Sequence, residues 1–301
     1  MSNPTQLCYA LITPARNEEA FLEQTIQAVV AQTLLPERWV IVSDGSTDRT
    51  DEIIKAYAQR YPWIDFVRMP ERATRDFGGK VMAFNAGKAR LQGLSHDIIG
   101  SLDADITFEA GYFEFLIHKF VQDPRLGVAG TPFKEDGKTY DFRFSSTEHV
   151  SGACQLFRRH CFEAIGGYVP VKGGGIDDIA VLTARLKGWR TQTFTEMSSH
   201  HHRPMGSALS QSKWAVNFKL GQNAYRLGGH PLWQVFRGFY QMSRKPYVVA
   251  GTALMCGYFG AMLKRVERPV TGELIAFQRR HQMMRLRSFL RIGSAQGNVE
   301  R

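Results

Sequence analysis

No acidic residue occurs between Glu196 and Glu267 of this 301-residue chain. Residues 1–196 carry 22 Lys/Arg against 25 Asp/Glu, whereas residues 197–301 carry 16 against 3. The net charge of +10 therefore arises wholly in the last third. Such asymmetry argues for an anionic partner there, phospholipid or nucleic acid. Aromatic residues threaded through the same stretch, Trp214 and Trp233 among them, favour a lipid surface, and no nucleic acid is expected.

Cysteine is scarce: Cys8, Cys154, Cys161 and Cys256 show no paired metal spacing. With no secretory pattern at the N-terminus, they read as reduced thiols in a cytoplasmic protein. Neither a G-x-G-x-x-G nor a P-loop lysine follows the first strand, which argues against a dinucleotide fold and a Walker ATPase. There is no internal repeat and no low-complexity tract. The one long uncharged run, residues 246–263, is 18 residues and contains three glycines. It is marginal for a membrane span, so a shallow interfacial helix or a packed one is expected.

What is present in the first half is alternation. Apolar runs at 7–13, 39–44, 64–69 and 97–105 read as strands. Amphipathic segments at 18–32, 48–61 and 79–93 read as helices. Strand–helix alternation at this spacing calls for right-handed crossovers and a mainly parallel α/β sheet. In such sheets ligands bind beyond the carboxyl ends of the strands. Three polar segments leave those ends: TPARNEE (13–19), SDGSTD (43–48) and DAD (103–105). They are expected to meet at one cleft. Two carboxylates on alternate residues, Asp103 and Asp105, can face a divalent cation and a diphosphate together. Asp48 and Thr47 are natural helix caps.

Together with GGKVMAFNAG (78–87) and SGACQLFRRHCFEAIGGY (151–168), these segments resemble family 2 of the inverting nucleotide-sugar glycosyltransferases, which have the GT-A fold, over roughly residues 7–200. The resemblance implies a catalytic domain over 1–203, with a nucleotide-sugar half to about 106 and an acceptor half from 107. A helical, basic and aromatic extension follows over 204–301. It implies that Asp44 accepts a hydrogen bond from uracil, and that Pro14, Ala15 and Glu18 line the base pocket. Arg75 and Lys80 would contact nucleotide or diphosphate, with Arg72 able to substitute for either. Asp105 would bind Mn²⁺ or Mg²⁺, and Asp103 the ribose, or the metal through water. His201 or His202, within SSHHHRPMG (198–206), would complete the metal shell, and Arg203 would neutralise the leaving diphosphate.

An inverting transfer needs a general base. The family's acid pair before a helix corresponds to Asp177-Asp178 in GGGIDDIAVLTARLKGWR (173–190). Asp178 ranks first as the base and Asp177 second. Ala180 stands where the family carries a further acid. The expected acceptor is lipid-linked or a growing envelope glycan, with the chain peripheral at the inner face of the cell membrane. Two other classes compete. A nucleotidyltransferase of related fold would usually carry a glycine-rich loop with a basic residue after the first strand. A basic nucleic-acid-binding module would leave the converging acids unused.

Overall fold

The computed structural model describes residues 7–71, 77–135, 146–171, 174–203, 212–243 and 247–296. Contacts divide the chain near residue 204 into two compact units.

The first unit opens with β1 (Tyr9–Ala15), α1 (Leu22–Val30), β2 (Arg38–Asp44), α2 (Thr50–Arg60), β3 (Ile64–Met69), α3 (Phe77–Arg90) and β4 (Ile98–Leu102). The expected alternation is present. β1 pairs in parallel with both β2 and β4, and β2 with β3. β1, β2 and β4 are almost wholly buried because helices cover both faces of a parallel sheet. α1 buries Leu22, Thr25, Ile26 and Val29, an i, i+3, i+4, i+7 stripe. It begins at Leu22 rather than at residue 18 for a local reason. Asn17 sits at φ 54°, and the Glu18 and Glu19 amides are held by side chains of the next loop.

The rest of the first unit adds β5 (Ile106–Thr107), α4 (Tyr112–Gln122), β6 (Leu126–Gly130), β7 (Phe133–Lys134), β8 (Cys154–Arg158), α5 (Arg159–Ala164), α6 (Ile176–Leu186), β9 (Arg190–Thr193) and β10 (Ser199–His201). The main sheet runs β3-β2-β1-β4-β8-β6-β9, with β8 antiparallel to β4 and β6. A three-stranded sheet, β5-β10-β7, lies apart from it. There His201 registers with Ile106, which returns the histidine run to the residues just after β4.

The second unit holds α7 (Lys213–Arg226), α8 (Pro231–Met242), α9 (Val249–Leu263) and α10 (Gly272–Gln296). Ser212 caps α7 by accepting from the Ala215 amide. The uncharged run forms α9, which packs against α7 and α8. A Cβ at Gly221 would lie 2.0 Å from the Leu254 carbonyl, and one at Gly257 2.0 Å from that of Phe218. Glycine is what lets these backbones approach so closely. Ala250, Ala253, Leu254, Tyr258 and Ala261 of α9 are buried, so one face of this helix is packed within its unit. Among the described residues no helix is long and apolar enough to cross a membrane.

Candidate active site

The loops leaving β1 and β2 brace one another. Asn17 and Glu18 donate their amides to Ser46 Oγ (3.1 Å) and Thr50 Oγ1 (2.8 Å). In return Thr47 donates its amide to Asn17 Oδ1 (2.9 Å), and Arg49 donates its own to Glu19 Oε2 (3.1 Å). Asp48 accepts from the Thr50 amide (3.0 Å) and so caps the entrance to α2. Gly45 sits at φ 64°, and a Cβ there would be 2.6 Å from Glu71 Cα. No other residue fits without moving backbone. The hydroxyls and acids of SDGSTD thus build a rigid rim between two strand ends.

On that rim Asp44 is buried at the end of β2, with Arg16 Nη1 3.9 Å from its Oδ2. Pro14, beside it on β1, is partly exposed. The Ala15 side chain belongs to the hydrophobic core, so only its backbone can reach a ligand. Arg16 was not singled out from sequence, although TPARNEE places it one residue past the strand.

Asp103 follows β4 and meets Lys80 from α3: Nζ lies 2.5 Å from Asp103 Oδ1. Burial alone would lower the lysine's pKa. The carboxylates of Asp103, Asp177 and Asp105 together more than offset it, and the pKa is raised. Both side chains nevertheless stay partly open, 31% for Lys80 and 27% for Asp103, as expected at the floor of a cleft. Arg72 and Arg75 lie outside the described residues.

Asp105 is nearly enclosed. Thr25 Oγ1 donates to the Ala104 carbonyl (2.8 Å) and the His202 amide to that of Asp105 (3.0 Å), which fixes the turn. His201 sits between two carboxylates, Nε2 3.7 Å from Asp105 Oδ1 and Nδ1 3.6 Å from Glu135 Oε2. The adjacent His202 turns elsewhere: its Nε2 is 2.8 Å from Thr107 Oγ1, and its ring stacks on Phe21. Arg203 makes a two-point contact with Glu18, and its Nε is 3.9 Å from Asp105 Oδ2. Glu18, read from sequence as a base-pocket residue, has its carboxylate on this arginine.

This donor set fits a hard divalent cation. Burial, and then repulsion from Asp103, push the Asp105 pKa up despite His201 and Arg203 nearby. A cation would relieve that clustering of negative charge. His201 Nδ1 is buried and has no hydrogen-bond partner among the described residues. Among the described residues no three His, Cys, Asp or Glu side chains enclose an ion. Asp105 and His201 would leave the other positions to phosphate oxygens and water, as Mg²⁺ and Mn²⁺ sites commonly do.

The acid pair heads α6, whose N-cap Gly175 is left-handed at φ 88°. Its members diverge. Asp178 is 40% exposed and lies 3.2 Å from His149 Nδ1. Asp177 turns inward against Gly152, where a Cβ would come within 2.7 Å of Asp177 Oδ2. Burial, and then the Asp178 charge, raise the Asp177 pKa, with Lys80 and His149 pulling the other way. Even so, the residue keeps partial solvent access. The buried Tyr168 hydroxyl, which donates to Gln155 (2.8 Å), feels both Asp177 and Asp103, so the two acids belong to one neighbourhood. Glu135, His149 and Tyr168 escaped sequence reasoning because nothing in their spacing ties them to the DAD segment.

The sequence profile of glycosyl transferase family 2 matches residues 10–174. The chain is 28% identical over 194 residues to the β-monoglucosyldiacylglycerol synthase of Synechocystis, covering 64% of this chain and 38% of that protein. It is 32% identical over 117 residues to the poly-β-1,6-N-acetyl-D-glucosamine synthase of Staphylococcus aureus, covering 38% and 26%. The chain thus spans about a third of the length of the curated relatives it matches. Its fold is similar to that of a mannosyltransferase from Pyrobaculum calidifontis solved with GDP-Man and Mn²⁺: TM-score 0.57, 17% identity, 97% of this chain and 80% of that one. The fold of S. aureus TarS in complex with UDP-GlcNAc is similar too, with TM-score 0.54, 12% identity, and 90% and 78% coverage.

Proposed function

The chain belongs to glycosyl transferase family 2, and from that premise we propose that it moves a hexosyl group from a nucleotide-sugar donor, UDP-linked, to a hydroxyl acceptor with inversion. The acceptor is a lipid-linked or growing envelope glycan, met at the inner face of the cell membrane. One observation carries the reading. Lys80, Asp103, Asp105, His201 and Asp177, drawn from four separate segments, form a single electrostatic neighbourhood beyond the carboxyl ends of the parallel strands. Neither a nucleotidyltransferase nor a nucleic-acid-binding module accounts for that convergence.

Asp44 accepts the uracil N3–H, with Arg16 Nη1 3.9 Å from its Oδ2. Lys80 and Arg203 bring positive charge to the diphosphate. A bound Mn²⁺ or Mg²⁺, held by Asp105 and His201, would stabilise charge growing on the departing diphosphate. The acceptor oxygen attacks the anomeric carbon opposite the leaving group, and the carbon–oxygen bond to the diphosphate breaks. The hydroxyl proton passes to a carboxylate of the acid pair. Sequence pattern ranks Asp178 first. The geometry supports Asp177, which faces the Lys80–Asp103 floor and whose pKa, raised by burial and by Asp178, makes it a stronger base than an ordinary aspartate.

The test is calorimetric titration of the protein with UDP, GDP and CDP, with and without Mn²⁺. Metal-dependent binding of UDP, lost in Asp105→Ala, is the expected outcome. No binding of any of the three under either condition would remove the transferase reading, and preference for GDP would remove the UDP assignment.

A further inference from the structure

Three consecutive carbonyls in the irregular stretch before β8 are taken up by side chains rather than by a strand ladder. Thr191 Oγ1 donates to the Glu148 carbonyl (2.5 Å), Thr193 Oγ1 to that of His149, and Gln155 Nε2 to that of Val150 (2.7 Å). All three donors are buried. Buried polar groups are as a rule partnered, and here three of them are aimed at one run of backbone. Next along the chain, Ser151 Oγ accepts from the Ala153 amide (3.2 Å). Residues 148–153 thus follow a fixed path without belonging to a regular element.

That path touches both sides of the site. At its end the Asp103 amide donates to the Ala153 carbonyl (2.9 Å). Along its length it meets α6 at three residues. Glu148 Oε2 accepts from Arg185 Nη2 (2.7 Å), His149 Nδ1 lies 3.2 Å from Asp178 Oδ1, and Gly152 faces Asp177. A single backbone segment therefore connects the DAD turn to the helix that carries the acid pair.

The contact at Gly152 is the closest of these. A Cβ there would stand 2.7 Å from Asp177 Oδ2 and 3.0 Å from both its Cβ and its Cγ. The backbone does not ask for glycine, because Gly152 has no positive φ. What the position requires is the absence of a side chain. With its preceding carbonyls held by Thr191, Thr193 and Gln155, the segment has little freedom to retreat from an added methyl. The carboxylate would have to move instead. Asp178 stands beside it, and Lys80 and His149 face it, but burial is the largest influence on its raised pKa. A carboxylate driven off Gly152 toward water loses that influence first.

We propose that Gly152 is a positioning residue for the general base: it leaves the space into which the Asp177 carboxylate turns, on a segment bonded to the Asp103 backbone, and so sets the base relative to the DAD turn. The proposal deepens the reaction given above and rests on Asp177 being its base.

The experiment is carboxyl ¹³C nuclear magnetic resonance of the full chain labelled at aspartate Cγ, titrated with pH in the absence of ligand, for wild type, Gly152→Ala and Asp177→Asn. The signal lost in Asp177→Asn is that of Asp177. Gly152→Ala is expected to lower the pH at which this signal titrates by about one unit or more, toward the ordinary aspartate value. UDP affinity by calorimetry is expected to stay unchanged. Where Asp177→Asn slows transfer, Gly152→Ala should slow it too, and the double variant should be no slower than Asp177→Asn alone. An unchanged Asp177 titration in folded Gly152→Ala would overturn the proposal. So would a further loss of transfer in the double variant, or a loss of UDP affinity in step with the shift, which marks general damage to the fold. Should Gly152→Ala not fold, Thr191→Val replaces it. That change frees the Glu148 carbonyl without adding bulk, and it is expected to shift the Asp177 signal in the same direction, with no shift again overturning the proposal. Failure of wild type to bind UDP would remove the transferase reading, whereas the Asp177 signal decides the role of Gly152 either way.

Discussion

His149 Nδ1 lies 3.2 Å from Asp178 Oδ1, and the contact separates the two members of the acid pair. Asp178 is held at the surface by the imidazole, while Asp177 looks inward toward Lys80. Neighbouring carboxylates one residue apart thereby acquire different environments, which is how a protein assigns different tasks to chemically identical groups.

Asp177→Asn is expected to keep UDP affinity and to lower the transfer rate by about 10²–10⁴, the usual worth of a general base. Asp178→Asn should retain measurable transfer. Radiolabelled-sugar transfer alongside nucleotide titration reads both quantities. The opposite ranking, with Asp178→Asn inactive and Asp177→Asn active, would return the role to Asp178.

The pH profile offers a separate check on Asp177. Its pKa is raised by burial first and by Asp178 second, so protonation should inactivate the enzyme on the acid side. Asp178→Asn removes the like charge and should shift that acid limb of kcat/KM to lower pH. The stability consequence has a defined sign. A carboxyl whose folded pKa exceeds its unfolded one costs stability as pH rises from the unfolded value, about 3.9, through the folded value. Asp177→Asn should accordingly raise the thermal midpoint at neutral pH.

Lys80→Met removes the ammonium that faces Asp103 at 2.5 Å. Loss of a charge-assisted contact to the diphosphate, about 1.5–3 kcal/mol, predicts roughly ten- to hundred-fold weaker UDP binding. Uridine, which lacks phosphate, should bind the variant as it binds wild type. Equal weakening of both would mean that the lysine only supports the fold.

Glu135→Gln tests a carboxylate that no motif announced. With Glu135 3.6 Å from His201 Nδ1, its charge should orient the ring and make Nε2 a better ligand. Mn²⁺ affinity, followed by the electron paramagnetic resonance of the free ion, should fall by about 10–100-fold. UDP affinity measured without metal should stay level.

Gly45→Ala should cost about 1–3 kcal/mol from positive φ alone. The added methyl would also stand 2.6 Å from Glu71 Cα, so the β2 rim must shift. Urea unfolding gives the first quantity, and UDP titration of the folded variant reports the second.

The sequence by itself determined the strand–helix alternation, because period and punctuation are local properties. It also placed Asp44, Asp103 and Asp105 at strand ends, since a side chain just past a strand in a parallel sheet has only one cleft to face. It marked the last third as basic, since charge needs no fold to be counted. Only tertiary structure brought the His201 ring rather than the His202 ring to Asp105, through the antiparallel pairing of β10 with β5. Only packing buried one face of α9, through glycines whose worth depends on which backbone lies opposite. Arg16, Glu135 and His149 stayed hidden for the same reason. Their meaning lies in partners 28, 66 and 29 residues away, a separation that the fold abolishes and the linear chain does not encode.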